Sequence, residues 1–148
     1  MPSVTRDRIA ETDDYGVVED RHEDVEGTTI QFVTIRDDVD AAPLLRGLPN
    51  DRCNCPHWGY VFKGKLIFDL GDSEEVYEAG DAFYLTHAHI PRAEPATEYL
   101  QFSPPRNSRP SPLTCRRTWR RCRMHCAVRL NSDTERSLSS ALRVEVAP

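Results

Sequence analysis

Turn residues interrupt the middle of the chain at short intervals, and this spacing limits what the chain can fold into. Between residues 28 and 105, short runs rich in β-branched and aromatic side chains alternate with glycine, proline and aspartate. The clearest run is TTIQFVTIR at residues 28–36, and breaks such as Gly71-Asp72 and Gly80 follow about every 8–12 residues. The region has no convincing amphipathic helix. The pattern predicts an all-β fold, an antiparallel barrel or sandwich.

The distribution of charge divides the chain into parts. Residues 1–105 hold 9 basic and 21 acidic side chains (net −12), and residues 106–148 hold 10 basic and 3 acidic ones (net +7), which together give −5. We expect an acidic N-terminal arm over residues 1–27, loose except for a short strand near residues 15–18, and then a barrel over residues 28–105. The Arg/Ser/Pro-rich tail, residues 106–148, is poor in large apolar side chains, so we expect it to be disordered.

Neither a membrane span nor a secretion signal is visible in the sequence. No stretch approaches the roughly 18 apolar residues that a span needs, and the acidic N-terminus has no apolar signal core. These observations predict a cytoplasmic protein. The five cysteines should then be thiols rather than members of a disulfide framework.

Two short stretches carry metal-ligand side chains at alternate positions. In CNCPH, the residues Cys53, Cys55 and His57 share one face if the segment is extended, and His87 and His89 do the same in THAH. Strands of this kind can meet inside a barrel, where thiolates and imidazoles suit Zn²⁺, Fe²⁺ or copper better than Ca²⁺. The alternative is that the cysteines are simply buried, since a thiol packs as a small apolar group.

Two stretches resemble the motifs of small single-domain cupins of the cupin-2 type. In HWGYVFKGKLIF, Tyr60, Val61 and Gly64 are in register with the second half of the first cupin motif. In GDAFYLTHAHIP, Gly80-Asp81 opens the second motif and His89 lies near its metal-binding histidine. The resemblance spans residues 53–103 and implies a small antiparallel β-barrel of the jelly-roll type.

The resemblance also shows which metal-ligand positions have changed. His57 stands where the motif usually has glutamate, Cys53 falls near the second histidine of its HxH, and Cys55 has no counterpart. The usual iron or manganese site of three histidines and one glutamate is therefore not present as such. A metal set here would be Cys53, Cys55, His57 and His89, with His87 as a spare. Two thiolates favour zinc over iron or manganese.

The same alternation assigns residues to the two faces of the barrel wall. Phe83 and Leu85 share the face of the two predicted histidines, so they should line a small-molecule pocket beside the metal. Trp58, Tyr60 and Phe62 point the opposite way, and such an outer stripe serves sheet packing or a dimer interface. Small cupins are often dimers, so the resemblance implies a homodimer through this face.

Two functions follow from these features, and no catalytic residue can be named for either. One is a divalent-metal cupin enzyme that acts on a small molecule by a reaction the sequence does not identify. The other is a non-catalytic cupin module that binds a small ligand or a metal.

The tail does not change this choice between two functions. Its Cys115, Cys122, His125 and Cys126 lack the paired spacing of a zinc knuckle. The basic stretch RRTWRRCR could touch nucleic acid non-specifically, fold back on the acidic body or have no role. We expect neither a nucleic-acid nor a membrane partner.

Overall fold

The computed structural model describes residues 3–86 and 88–104. His87 and the whole predicted tail, with its cysteines and basic stretch, lie outside the described residues. Among the residues that are described, no helix has the length and apolar character needed to cross a membrane. The strands are β1 Glu11–Asp14, β2 Val18–Val25, β3 Thr28–Ile35, β4 Val39–Asp40, β5 His57–Lys63, β6 Lys65–Asp69, β7 Glu74–Glu78, β8 Ala82–Leu85, β9 Ile90–Ala93 and β10 Glu98–Ser103. The helical elements are α1 at Ala42–Leu45 and two 3₁₀ turns at Arg6–Arg8 and Pro49–Asp51.

The strands form two antiparallel sheets. The larger sheet has the order β1-β2-β3-β10-β5-β8, and the smaller one has the order β4-β9-β6-β7. Within each sheet every pairing between these strands is antiparallel. The prediction of an all-β, antiparallel jelly-roll architecture is therefore confirmed.

Strand β3 shows how the sequence selects its inner face. Alternate residues are buried along its whole length, from Thr29 through Gln31 and Val33 to Ile35. A strand sends successive side chains to opposite faces, so Ile30 and Phe32 point outward although they are apolar. The inner face of the large sheet is therefore partly polar, and this polar part borders the candidate site.

The prediction of a loose acidic arm is wrong for residues 11–14 and 18–25, which form β1 and β2. Strand β2 pairs with β3 along eight register positions, from Val18 opposite Ile35 to Val25 opposite Thr28. The two strands are joined by Glu26 and Gly27, which both have positive φ (47° and 83°), as a tight two-residue hairpin requires. The acidic composition concealed this hairpin, although most of its charged residues lie outside the buried positions of β2 and some are paired, as Glu19 is with Arg21 at 2.6 Å.

The charged stretch around His22 suggests a solvated side chain, and this expectation is also wrong. It lies on the inner face of β2 and is only 3% exposed. The alternation along the strand places it there, because Asp20 and His22 are two residues apart and both are buried.

Gly64 carries the chain from one sheet to the other. Strand β5 ends at Lys63 in the large sheet and β6 begins at Lys65 in the small one. Gly64 has a φ of +77°, and a Cβ there would lie 2.5 Å from the Thr97 hydroxyl oxygen. Only glycine combines that backbone conformation with so close a neighbour.

The buried apolar side chains form two clusters. The larger lies between the sheets and contains Val33, Ile35, Val61, Leu66, Phe68, Phe83, Leu85 and Ala93. The smaller lies under α1 and contains Ala41, Leu45, Cys53 and Cys55. The candidate site lies where the second cluster meets the sheets, because Cys53 belongs to it.

Candidate functional site

Three segments bring Cys53, His57 and His89 together. His57 is the first residue of β5. Cys53 and His89 face each other in an isolated antiparallel bridge, in which the Cys53 amide donates to the His89 carbonyl at 2.9 Å and the His89 amide donates to the Cys53 carbonyl at 3.0 Å. The main chain therefore fixes two of these residues against each other, and the start of β5, paired with β8, positions the third.

The side chains of these residues form a compact, buried group. Cys53 Sγ lies 3.4 Å from His57 Nε2, and the His57 and His89 rings meet edge to face with centroids 5.2 Å apart. One ligand atom from each of the three residues lies within 4.8 Å of the others. All three side chains are at most 5% exposed. The group therefore has the composition and the spacing of a metal-binding cluster.

One donor separation in this group matches the spacing of ligands around a tetrahedral ion. Zinc bonds of about 2.3 Å to sulfur and about 2.0 Å to nitrogen put neighbouring S and N ligands about 3.5 Å apart. The 3.4 Å between Cys53 Sγ and His57 Nε2 already matches this separation. His57 Nδ1 is buried and has no hydrogen-bond partner among the described residues. A buried polar atom of this kind indicates a group or water molecule beyond the protein atoms described.

Cys55 is not a member of this group. Strand β5 begins only at His57, so the alternation expected over residues 53–57 does not extend back to Cys55. The Cys55 side chain is buried with Ala41 and Leu45 in the smaller apolar cluster. His87, the predicted spare ligand, lies outside the described residues. The geometry thus groups Cys53, His57 and His89, a smaller set than the sequence suggests.

Phe83 and Leu85 are both buried, as their place on the inner face of β8 requires. They belong to the large apolar cluster, whereas the cavity beside the metal-type group is lined by other residues. The Phe83 ring packs against Phe68, with centroids 5.5 Å apart, and Phe68 is in the cavity wall. Neither predicted pocket residue lines the cavity, and Phe83 supports the wall from behind through Phe68.

A cavity of about 170 Å³ opens beside Cys53, His57 and His89, which line it. Most of its wall is apolar and comes from both sheets and α1, for example Ile35, Leu45, Leu66 and Phe68. A cavity of about 150 Å³ with apolar walls holds a benzene molecule. The space therefore suits a single small organic molecule in contact with the metal-type group.

Polar residues that the sequence motifs do not include line another part of the same cavity. Asp20, Gln31 and Gln101 are all in its wall and all at most 8% exposed. Gln31 Nε2 donates to both Asp20 carboxylate oxygens at 3.3 and 3.4 Å, and Gln101 Nε2 donates to the Gln31 side-chain oxygen Oε1 at 3.2 Å. The alternation along β3 could have identified Gln31 from the sequence, because a polar residue in phase with Val33 and Ile35 must face inward.

Tyr99 lies beside this polar set and in the cavity wall. Burial, and then the negative charge of Asp20, raises the pKa of the Tyr99 hydroxyl well above its usual value. The hydroxyl therefore stays protonated at neutral pH, and it can serve a ligand as a donor or an acceptor.

Comparisons with known proteins show likeness in fold but not in sequence. No protein-family model matches the chain and no curated protein is similar to it. An RmlC-like cupin from Shewanella frigidimarina superposes with a TM-score of 0.50 at 15% identity, over 70% of this chain and 91% of that one. KdgF from a Halomonas species gives a TM-score of 0.47 at 16% identity, over 66% and 89%. A cupin-2 domain containing protein from S. frigidimarina gives 0.44 at 14% identity, over 58% and 79%.

Proposed function

Given that the chain has the cupin fold, we propose that it is a metal-dependent cupin that binds a small molecule in the cavity between its sheets. The observation that carries the proposal is the buried group of Cys53, His57 and His89, whose ligand atoms lie within 4.8 Å of one another in the cavity wall. A metal held there would be in direct contact with a bound molecule.

Zinc is the metal that suits this group best. One thiolate and two imidazoles are typical zinc ligands, and harder ions such as Mn²⁺ prefer oxygen donors. Three protein ligands leave one tetrahedral position for water or a ligand, as in catalytic zinc sites. A divalent ion there would supply Lewis acidity toward a carbonyl group or a bound water. The protein would contribute the dry apolar wall and the hydrogen-bonding set around Asp20.

Metal content in three variants tests the ligand set. We expect about one zinc per chain in the purified protein by elemental analysis, and a loss in Cys53→Ala and His89→Ala. Cys55→Ala is the matched control, because it removes a buried thiol two residues away that lies outside the group. Retention of zinc in Cys53→Ala, or an equal loss in Cys55→Ala, would contradict the three-residue set.

The same site distinguishes an enzyme from a non-catalytic module. A catalytic site must keep a coordination position that exchanges with a substrate, whereas a closed structural site has none. We therefore expect the visible spectrum of the cobalt-substituted protein to change when azide or imidazole is added. An unchanged spectrum at saturating azide and imidazole would favour the non-catalytic module.

We also propose that two copies of the chain associate through the outer face of the large sheet. Trp58, Tyr60 and Phe62 of β5 are 37–46% exposed there, and Tyr84 of β8 is 67% exposed. Trp58 stacks on Phe102 of β10 with ring centroids 6.3 Å apart. A broad aromatic face of this kind is typical of interface cores, where aromatic residues are enriched.

Light scattering on the full chain tests this association. We expect a mass of twice 16.9 kDa for the wild type and the monomer mass for Tyr60→Glu. The control is Val76→Glu, which introduces the same charge at an exposed position (52%) on the other sheet and should leave the dimer intact. A monomeric wild type at micromolar concentration would refute the proposal.

A further inference from the structure

Tyr99 is a firmly held side chain in the wall of the cavity between the sheets. It lies in β10, where its register partners are Val33 of β3 and Val61 of β5. Residues directly opposite each other in a sheet share a face, so Tyr99 points inward with these two buried side chains. Its ring packs edge to face on Phe83, with centroids 6.3 Å apart. The ring therefore holds its hydroxyl group in a defined position.

The Tyr99 hydroxyl forms no hydrogen bond within the part of the chain that the structure describes. The side-chain amides nearby already donate to other groups, Gln31 to Asp20 and Gln101 to Gln31. A hydroxyl that is taken out of bulk water normally has a hydrogen-bond partner. The partner of this hydroxyl therefore comes from what occupies the cavity, either a bound molecule or the water that such a molecule displaces.

The Tyr99 hydroxyl suits a neutral acceptor best. Burial, and then the negative charge of Asp20, raises its pKa, so the proton that it donates is retained at neutral pH. The same negative charge would repel a carboxylate placed against the hydroxyl. A carbonyl oxygen accepts the hydrogen bond without that repulsion.

Arg92 is another donor at the border of the cavity, and its orientation is less suitable. Its Nε is buried and has no hydrogen-bond partner among the described residues. In β9, however, the next residue, Ala93, belongs to the apolar core, and successive side chains of a strand point to opposite faces. The Arg92 guanidinium pairs with Glu74 of β7. Its side chain is therefore directed away from the interior of the cavity.

Resting on the small-molecule part of the proposed function, we infer that the ligand is a ring-sized, mainly apolar molecule whose carbonyl oxygen accepts a hydrogen bond from Tyr99. The size follows from the cavity volume of about 170 Å³, since a cavity of about 150 Å³ holds benzene. The apolar character follows from the side chains of Ile35, Leu45 and Phe68 in the wall. Tyr99 thus determines specificity by contact with the ligand and not with the metal.

Acetophenone and isopropylbenzene test this inference, because they have nearly the same shape and only acetophenone has a carbonyl group. Their dissociation constants are measured by ligand-observed NMR on the full chain, in the wild type and in Tyr99→Phe, which keeps the ring. We expect the dissociation constant of acetophenone to rise about three- to tenfold in Tyr99→Phe, which corresponds to the net value of one neutral hydrogen bond. The dissociation constant of isopropylbenzene should change little.

Tyr84→Phe is the matched control, because it removes a hydroxyl from a tyrosine that is 67% exposed on β8 and should leave both dissociation constants unchanged. Arg92→Gln tests the other donor. Three results would each overturn the inference: no binding of either probe, an equal effect in Tyr84→Phe, or a loss of acetophenone affinity in Arg92→Gln instead of Tyr99→Phe.

Infrared spectra of the wild type supply a measurement that needs no variant. Acetophenone is isotopically labelled at its carbonyl carbon, so that its band is separated from those of the protein. We expect this band to lie at lower wavenumber in the complex than in an apolar solvent, because a hydrogen bond weakens the carbonyl double bond. A band at the position seen in the apolar solvent would overturn the inference even if Tyr99→Phe did not fold.

These outcomes are separate from those that test the metal. Each measurement is repeated after treatment with a chelator, and zinc content is measured on the same samples. An effect of Tyr99→Phe that persists in protein without zinc supports the inference even if the metal proposal fails. A carbonyl effect that is the same in Tyr99→Phe and disappears with the chelator belongs to the metal, and it would overturn the inference while keeping the metal proposal.

Discussion

Gly59 is a position at which one added methyl group should clash with the main chain of a neighbouring strand. It lies in β5, opposite Gln101 of β10 and Phe83 of β8. A Cβ built there would be 2.0 Å from the Leu100 carbonyl oxygen and 2.5 Å from Phe83 Cζ. The Phe83 ring can turn aside, but the carbonyl belongs to the main chain of the neighbouring strand. Alanine would therefore force β5 and β10 apart.

The size of the effect follows from that geometry. Overpacking a core costs about 1–3 kcal/mol and sometimes more, and a clash with backbone belongs at the upper end. We expect the free energy of unfolding of Gly59→Ala to be about 3 kcal/mol lower than that of the wild type. For a domain of this size the midpoint temperature should fall by about 12–24 °C. Urea and thermal unfolding followed by circular dichroism measure both quantities.

The matched control is Gly16→Ala, where a Cβ would meet nothing within 4 Å and only the positive φ of +80° opposes alanine. That strain costs about 1–2 kcal/mol, so this variant should be clearly more stable than Gly59→Ala. A Gly59→Ala protein within about 1 kcal/mol of wild type would refute the reasoning, since it would mean that the two strands yield without cost.

Three further outcomes follow from described residues and from composition. Hydrogen bonds from the Gly71 amide, and then from Arg52, lower the pKa of Asp69 below 3.8. The ionised Asp69 therefore stabilises the fold above pH 3.8, and this stabilisation is lost as the pH falls through the lowered pKa. The urea midpoint should fall less steeply between pH 5 and pH 2 in Asp69→Asn than in the wild type. Burial, and then the neighbouring Glu75, raises the pKa of Tyr77 to about 12. The free energy of unfolding should therefore decrease between pH 10 and about 12, and this decrease should be smaller in Tyr77→Phe. Alkaline unfolding and tyrosine absorbance at high pH measure the two effects. Removing residues 106–148 should change the free energy of unfolding by less than about 1 kcal/mol, because that segment is poor in large apolar side chains; a larger loss would show that it packs on the sheets.

The fold could be predicted from the sequence because its turn signals are local. Gly64 between two apolar runs marks the end of β5 and the start of β6, and Gly80-Asp81 marks the approach to β8. The β2–β3 hairpin carried an equally local signal in Glu26-Gly27, but the acidic residues around it suggested a solvated arm. Charge on one face of a strand says nothing about the other face, and the inner face of β2 is where Asp20 and His22 are buried.

The site was less predictable because it depends on contacts between distant segments. Alternation along CNCPH could not show that the strand begins at His57 and that Cys53 is held by a bridge to His89 instead. The polar wall formed by Asp20, Gln31 and Gln101 requires the register of the β2–β3 hairpin against β10, a strand about 70 residues further along the chain. Sequence patterns give the face of each strand, whereas only the register tells which polar side chains meet.

The bridge between Cys53 and His89 fixes the backbone at the site independently of which side chains would bind the metal. Both of its hydrogen bonds are made by main-chain atoms, and such a pair holds its two Cα atoms about 5.5 Å apart whatever the side chains are. Point substitutions on this scaffold can therefore exchange donor atoms without rebuilding the backbone. Cys53→His would create a set of three imidazoles, and a lineage could pass from a soft to a harder metal preference in a single step.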